Sequence, residues 1–268
     1  MFCGLLSHLS RSYRWKFQLE PLNYNIKYPN SVMAVFITYL ANYGIPRSGE
    51  VLRAAIVSNY EGVPFEKAFG TIVAERFADF VVLLFIIAMT LVLQFDFIYH
   101  LLEASFQPQK LLMAGILAIV FFGILILILK KSRSKIVLKI KMFFKGLVEG
   151  ILSIFKMKQK WAFIFHTLFI WTMYLLMFYT TTFAVDDLND ISIGAILIGF
   201  IAGSFTIAAT NGGIFVYPLA IAAAFALFEI PENPSIAFGW IMWSSQTMMV
   251  IILGSLSFLL LPIYNRTK

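Results

Sequence analysis

The chain has 268 residues, of which 60% are hydrophobic and only 13% are charged, and its formal net charge is +7. This composition excludes an ordinary water-soluble globular protein and is typical of a membrane protein. The single cysteine, Cys3, excludes an intramolecular disulfide and a cysteine-built metal cluster. The basic residues collect between apolar segments, so the positive charge predicts membrane topology rather than binding to nucleic acid.

The first predicted element is a broken helix pair. Its first part, the apolar run 32–43, gives only about 18 Å of helix, which is too short to cross a bilayer comfortably. The run breaks at Gly44-Ile45-Pro46 and resumes over 51–57. We therefore expect a hairpin that enters the membrane, turns at the break and returns to the side from which it came.

Two predicted spans, 77–94 and 111–129, come next and lead into a basic segment at 130–160. This segment contains ten Lys or Arg and one acid, Glu149, so the positive-inside rule places it in the cytoplasm. Its basic residues recur at helical spacing, which predicts an amphipathic helix on the inner membrane surface. The predicted partners are anionic inner-leaflet lipids; the alternative is a topological anchor without a recognition role.

The second half of the chain predicts two further spans with a second broken pair between them. These elements are 161–185, 191–209, 214–228 and 236–261. The interruption is the flexible, polar sequence Thr210-Asn211-Gly212-Gly213. The second pair is either two thin spans or one re-entrant hairpin, and a hairpin here would enter from the face opposite to the first. When crossings are counted from the basic segment and this pair contributes an even number, the C-terminus is cytoplasmic. Broken segments in corresponding places of two halves indicate a substrate site in secondary transporters.

Together these elements predict an all-α, polytopic protein of the plasma (inner) membrane, with a single domain over residues 1–268. It should contain about six to eight embedded helical segments, among them the two broken pairs as candidate re-entrant hairpins. No embedded helix is predicted before residue 32. The early basic residues Arg11, Arg14 and Lys16 are expected at the cytoplasmic surface.

Charged residues beside the first break and at the entry to the next span are the strongest candidates for a binding site, because charge at membrane depth is expensive and usually functional. They are Arg47, Glu50, Arg53, Glu75, Arg76 and Asp79. Spacings of three and four residues place the members of each group on one helix face. Arginines in such clusters suit a phosphate group. The alternative is that they snorkel to the interface and form structural ion pairs.

The second break offers Asn211, Gly212 and Gly213, which either present backbone donors to a ligand or simply form a turn. The sequence contains no nucleophile elbow, phosphate-binding glycine loop or zinc motif. No catalytic residue, metal or cofactor is therefore predicted, and an enzyme is not indicated by the local chemistry.

Two motifs resemble the signatures of the lysylphosphatidylglycerol synthase transmembrane-region family. The first is Pro46-Arg47-Ser48-Gly49-Glu50-Val51-Leu52-Arg53, and the second is Thr71-Ile72-Val73-Ala74-Glu75-Arg76-Phe77-Ala78-Asp79. The break at Asn211 resembles the late glycine-rich motif of that family, with Phe215, Val216 and Tyr217-Pro218 in place of its usual glycine and glutamate. The family normally begins with one or two more helices than this sequence predicts, so we expect either a truncated start or a short member.

The resemblance implies a flippase-like membrane fold without the soluble synthase domain of the bifunctional members. It implies a transporter that moves a phospholipid or a polyprenyl-phosphate-linked lipid across the membrane. Two other functions stay open at this stage. One is a membrane enzyme that modifies a lipid-linked headgroup or sugar, with the carboxylates as general acid or base. The other is a structural subunit that binds a protein partner.

Overall fold

The computed structural model describes residues 1–105, positions 113, 117, 120 and 123, and residues 157–210 and 212–266. Within these ranges the longer elements are all helices: α1 Phe2–Leu19, α2 Tyr28–Gly44, α3 Ser48–Glu61, α4 Phe65–Leu93, α5 Phe95–Ser105, α6 Lys160–Thr182, α7 Ile193–Ala209, α8 Val216–Ala226 and α9 Glu232–Tyr264. Short 3-10 turns, Glu20–Leu22 and Asp186–Leu188, follow α1 and α6. The predicted all-α class is confirmed. Most of the predicted span 111–129 and of the basic segment 130–160 lies outside the described residues.

Among the described residues, three helices are long and apolar enough to cross a membrane, namely α4, α6 and α9. They confirm three of the four predicted spans, 77–94, 161–185 and 236–261, although α4 begins twelve residues before the predicted start at residue 77. The early turns of α4 bury polar side chains, Thr71 and Glu75, against other helices. Hydropathy alone therefore missed the beginning of this helix.

Both predicted broken helix pairs are present. The helices α2 and α3 are separated at Ile45–Arg47, where Arg47 adopts a left-handed conformation with φ of 60°. The helices α7 and α8 are separated by a turn in which Gly212 and Gly213 have φ of 69° and 78°. These positive φ values favour glycine and explain why the helix stops there.

The first hairpin packs along one half of α9. Asn30, near the start of α2, exchanges hydrogen bonds of 3.0 and 2.9 Å with Asn265 just beyond the end of α9. At the other end of α2, the Tyr43 hydroxyl lies 3.0 Å from Thr247 Oγ1. The helix α2 thus runs antiparallel to α9 for about 20 Å, and its tip lies near the middle of α9. Glu61, at the end of α3, hydrogen-bonds to Asn30, so the hairpin begins and ends on the same side.

The second hairpin packs along the other half of α9. The Phe225 ring of α8 lies 5.6 Å from Phe238, and the Trp243 indole donates a 2.7 Å hydrogen bond to the Gly212 carbonyl at the tip. Gly212 also packs directly against the Tyr43 ring. The two tips therefore meet beside the middle of the longest helix, having entered from opposite ends. The inverted arrangement predicted from hydropathy is observed.

The helix α1 was not predicted from the sequence. It lies antiparallel to both α4 and α6, and its buried face carries Arg11, Arg14 and Gln18. Because this buried face is polar, the helix lacks the apolar run on which the prediction of spans relied. The expectation that Arg11 and Arg14 lie at the membrane surface is wrong, since both side chains are almost completely buried.

Candidate functional site

The core of the candidate site is one face of α4 that carries Glu75 and Asp79, four residues apart. Both are buried, and Glu75 is completely inaccessible. Glu75 lies about 15 Å along α4 from its first residue, a depth at which an unpaired carboxylate is expensive. Each carboxylate is accordingly surrounded by arginines from neighbouring helices.

Two of these arginines come from α1. Arg11 lies 2.7 Å from Glu75 and 2.6 Å from Asp79, so one guanidinium bridges both acids. Arg14 lies 2.9 Å from Asp79 and 3.4 Å from Glu75, and it also donates a 2.8 Å hydrogen bond to Thr167 of α6. The network therefore joins α1, α4 and α6.

Arg53 of α3 supplies the third buried arginine. Its two terminal nitrogens donate to the two Glu75 oxygens, both at 3.2 Å, in the fork geometry that favours arginine over lysine. The guanidinium also stacks over the Trp15 ring, 3.9 Å from its centroid. The Trp15 indole is fixed in turn by a 2.8 Å hydrogen bond to Thr71. Arg53 is held by the two Glu75 oxygens and the Trp15 ring and does not face an open space.

The accessible edge of the network is the ion pair between Arg76 and Glu50. Arg76 Nη2 lies 3.1 Å from Glu50 Oε1, and the two side chains are 38% and 20% exposed. Glu50 is also bonded by Asn42, whose amide oxygen accepts from the Gly49 N–H at 2.8 Å. This pair links the first hairpin to α4, and it is where a ligand can reach the network without unfolding it.

The network carries a surplus of positive charge. Four arginines face three carboxylates, which leaves one formal positive charge in excess. Several guanidinium nitrogens are buried and form no hydrogen bond within the described part of the chain: Arg11 Nε, Arg14 Nε and Nη2, Arg53 Nε and Arg76 Nε. Unsatisfied buried donors and excess charge are both costly, and a bound anion would relieve both.

Five of the six charged residues predicted for the site thus come together: Glu50, Arg53, Glu75, Arg76 and Asp79. Arg47 does not join them, because it is exposed at the start of α3 and forms no ion pair among the described residues. Gly212 and Gly213 form the tip of the second hairpin, where the Gly213 N–H donates to Thr210 at 3.0 Å and the Gly212 carbonyl accepts from Trp243. Asn211 lies outside the described residues.

Sequence reasoning missed the two arginines of α1. A signal for them exists in the spacing of Ser7, Arg11, Arg14 and Gln18, which recur at intervals of four, three and four residues. Such a stripe places polar side chains on one helix face. Because α4 carries embedded acids, this polar face of α1 predicts that the helix is buried against α4 rather than exposed at the membrane surface.

The described residues contain no group of three or more histidine, cysteine or acidic side chains placed to hold a metal ion. Glu75 and Asp79 are close to each other, but their oxygens are taken by arginines.

Comparison with known proteins identifies the family. The family model described as lysylphosphatidylglycerol synthase TM region matches residues 1–254. The UPF0104 membrane protein MJ1595 of Methanocaldococcus jannaschii is 26% identical over 258 residues, an alignment that covers 84% of this chain and 72% of the relative. No solved structure matches the chain.

Proposed function

We propose a lipid-transport function for this chain, which belongs to the lysylphosphatidylglycerol synthase TM-region family. In this proposal the protein binds the phosphate group of a membrane lipid at the arginine network and moves the lipid across the bilayer. The observation that carries the proposal is the buried network with one surplus positive charge and several unpaired guanidinium donors. The lipid is a phospholipid or a polyprenyl-phosphate-linked lipid.

The chemistry of the network supports a phosphate ligand. Guanidinium groups pair with the oxygens of phosphate in the same forked geometry that Arg53 uses with Glu75. Glu75 and Asp79 fix the directions of the arginines, and Arg76 makes the first contact with the headgroup. Arg11 and Arg14 contribute the positive potential that replaces the hydration of the phosphate at this depth.

The position of the network supports transport rather than simple binding. Two helix hairpins enter from opposite ends and meet beside the middle of α9, as in transporters whose substrate site lies near the bilayer midplane. Arg53 and Glu50 lie on the first hairpin. A tilt of this hairpin against α4 would therefore change the side of the membrane from which Arg76 is accessible. Gly212 and Gly213 are proposed to line the path at the second tip, and exposed Arg47 to attract the headgroup. A binding role for Asn211 stays a prediction from the sequence.

Replacement of Arg76 tests the binding site. We expect Arg76→Ala to weaken binding of phosphatidylglycerol by at least about tenfold, because a charge-assisted contact in a desolvated site is lost. The measurement is native mass spectrometry of the detergent-purified protein. Lys67→Ala is the matched control, since Lys67 is an exposed cation on the same helix. If both variants bind the lipid as the wild type does, Arg76 is not part of the site.

Transport itself is measured with a fluorescent phospholipid in reconstituted vesicles. Mass spectrometry of the lipids after the reaction distinguishes transport from the alternative of a membrane enzyme, which predicts a covalently altered lipid. A structural subunit predicts neither movement nor modification. The absence of lipid movement by the wild-type protein would contradict the proposal.

We further propose that the end of the molecule containing Glu20, Lys27 and Asn265 faces the cytoplasm. The side chain of Gln159 hydrogen-bonds to Glu20 there, at the border of the basic segment 130–160. We keep the proposal that this segment contacts anionic inner-leaflet lipids, which rests on its ten basic residues.

The sidedness can be tested with introduced cysteines, because the chain has only one native cysteine and Cys3→Ser removes it. In that background we expect an impermeant thiol reagent to label Asp187→Cys on intact cells. Glu66→Cys lies in the first turn of α4, on the side proposed to be cytoplasmic, and should be labelled only after permeabilisation. The reverse pattern would place the basic segment outside the cell.

A further inference from the structure

His8 is a buried histidine that the proposed binding site does not use. It lies on α1 with 6% of its surface exposed, and its ring packs 4.5 Å from Tyr39 and 5.5 Å from Phe36 of α2. Its Nδ1 atom is buried and forms no hydrogen bond within the described residues. A buried ionisable side chain with an unbonded ring nitrogen in a membrane protein is expected to have a function.

The surroundings of His8 connect it to the anion site. Arg11 follows it by one helical turn and shares Asp79 with Arg76 of α4, at 2.6 and 3.9 Å. Tyr39 faces it from α2, while Tyr174 of α6 accepts a 3.5 Å hydrogen bond from Arg11. The carboxylates of α4, Glu75 and Asp79, are occupied by arginines. His8 therefore lies beside cations, with its nearest acids already paired.

We propose that His8 is a proton-binding residue coupled to the phosphate site, an inference that rests on the proposed function. While the network is empty, burial of the ring, together with the positive charge of the neighbouring arginines, keeps the imidazole neutral. When a phosphate monoanion binds, that surplus is cancelled, and His8 takes up a proton. By thermodynamic reciprocity, a proton on His8 then strengthens the binding of the anion.

This coupling has a consequence for transport. The empty network has one surplus positive charge, and the network loaded with a monoanion and a proton has the same surplus. The loaded and empty proteins would then change conformation without a difference in embedded charge, although the cargo itself is an anion. The membrane potential acts on net charge, so it would affect the conformational change of the loaded protein and that of the empty protein equally. Substrate movement would respond to the proton gradient instead.

The test measures binding of phosphatidylglycerol at pH 5.5 and pH 8 by native mass spectrometry or a fluorescence assay. The phosphodiester of this lipid keeps its charge throughout that range. For the wild type we expect binding to be about tenfold tighter at the lower pH, within the usual range of coupling between sites. His8→Gln should bind with an affinity that changes less than about twofold. His166→Gln is the matched control, because His166 is bonded to Ser10 on the opposite side of α1 and should leave the pH dependence intact.

A second measurement does not depend on a variant. Lipid added to weakly buffered wild-type protein near pH 6.5 should cause proton uptake of up to one equivalent for each lipid bound. Binding without proton uptake, or equal pH dependence in wild type and His8→Gln, would overturn the role of His8 and leave the phosphate site standing. Failure of the wild type to bind the lipid at either pH would instead overturn the proposed function.

Discussion

Glu75→Gln is expected to destabilise the protein more than the loss of an ordinary surface charge. Glu75 is completely buried and pairs with Arg11, Arg14 and Arg53. Removal of its charge leaves Arg11 and Arg14 with Asp79 alone and takes away the carboxylate that pairs with Arg53. Breaking a buried ion pair from one side typically costs about 3–5 kcal/mol, because the remaining charge is neither solvated nor paired. The apparent melting temperature in detergent should fall by about 10 °C.

Two controls separate this effect from a general loss of helix stability. Glu66→Gln removes an acid from an exposed position in the first turn of the same helix, and we expect it to change the melting temperature little. The double variant Glu75→Gln/Arg53→Met removes one of the stranded cations, so it should lose less stability than the two single variants added together. Strict additivity of the two changes would mean that the two side chains do not interact as observed.

Gly49→Ala is expected to force α2 and α3 apart. A methyl group at this position would collide with the backbone carbonyl of Thr38, and it would also press on the Asn42 side chain. Because the obstacle is backbone, it cannot rotate away, and we expect a cost of about 1–3 kcal/mol. Glu50 and Arg53 lie on the displaced helix, so lipid binding should weaken together with stability.

The opposite result is expected for Gly70→Ala on α4. An added methyl group there meets nothing within 4 Å, and the position is exposed inside a helix. Replacing glycine by alanine in such a place usually stabilises a helix by about 0.5–1 kcal/mol. Thermal unfolding of both variants in the same detergent should give a lower melting temperature for Gly49→Ala and a higher one for Gly70→Ala than for the wild type. If Gly49→Ala behaved like Gly70→Ala, the close approach of α2 and α3 would be absent from the folded protein.

The sequence predicted the parts of the fold that depend on contact with lipid. Three spans and two broken pairs were correct because hydrocarbon selects apolar stretches of a defined length, and because glycine and proline interrupt helices locally. The embedded charges at Glu75, Arg76 and Asp79 were visible for the same reason, since charge inside an apolar segment is conspicuous. Their motifs also led to the correct family.

The sequence did not predict α1, because the face that this helix buries is polar. Hydropathy measures the preference of a segment for lipid, whereas Arg11 and Arg14 are buried against protein. Their partners are more than sixty residues away, and a single sequence has no signal that pairs them. The same limit applies to His8, which is buried against Phe36 and Tyr39 only because α1 and α2 pack together.

By itself, therefore, the sequence determined the membrane class, the helical fold, the places where helices break and the types of charge available to bind a ligand. These are properties of local segments in a solvent that cannot hydrogen-bond to the backbone. Only the tertiary structure decided which charges meet, that Arg53 is fixed by Glu75 while Arg76 stays accessible, and that the network has one surplus positive charge. Electrostatic interactions at this depth depend on distances between side chains far apart in the chain, and those distances exist only after the helices have packed.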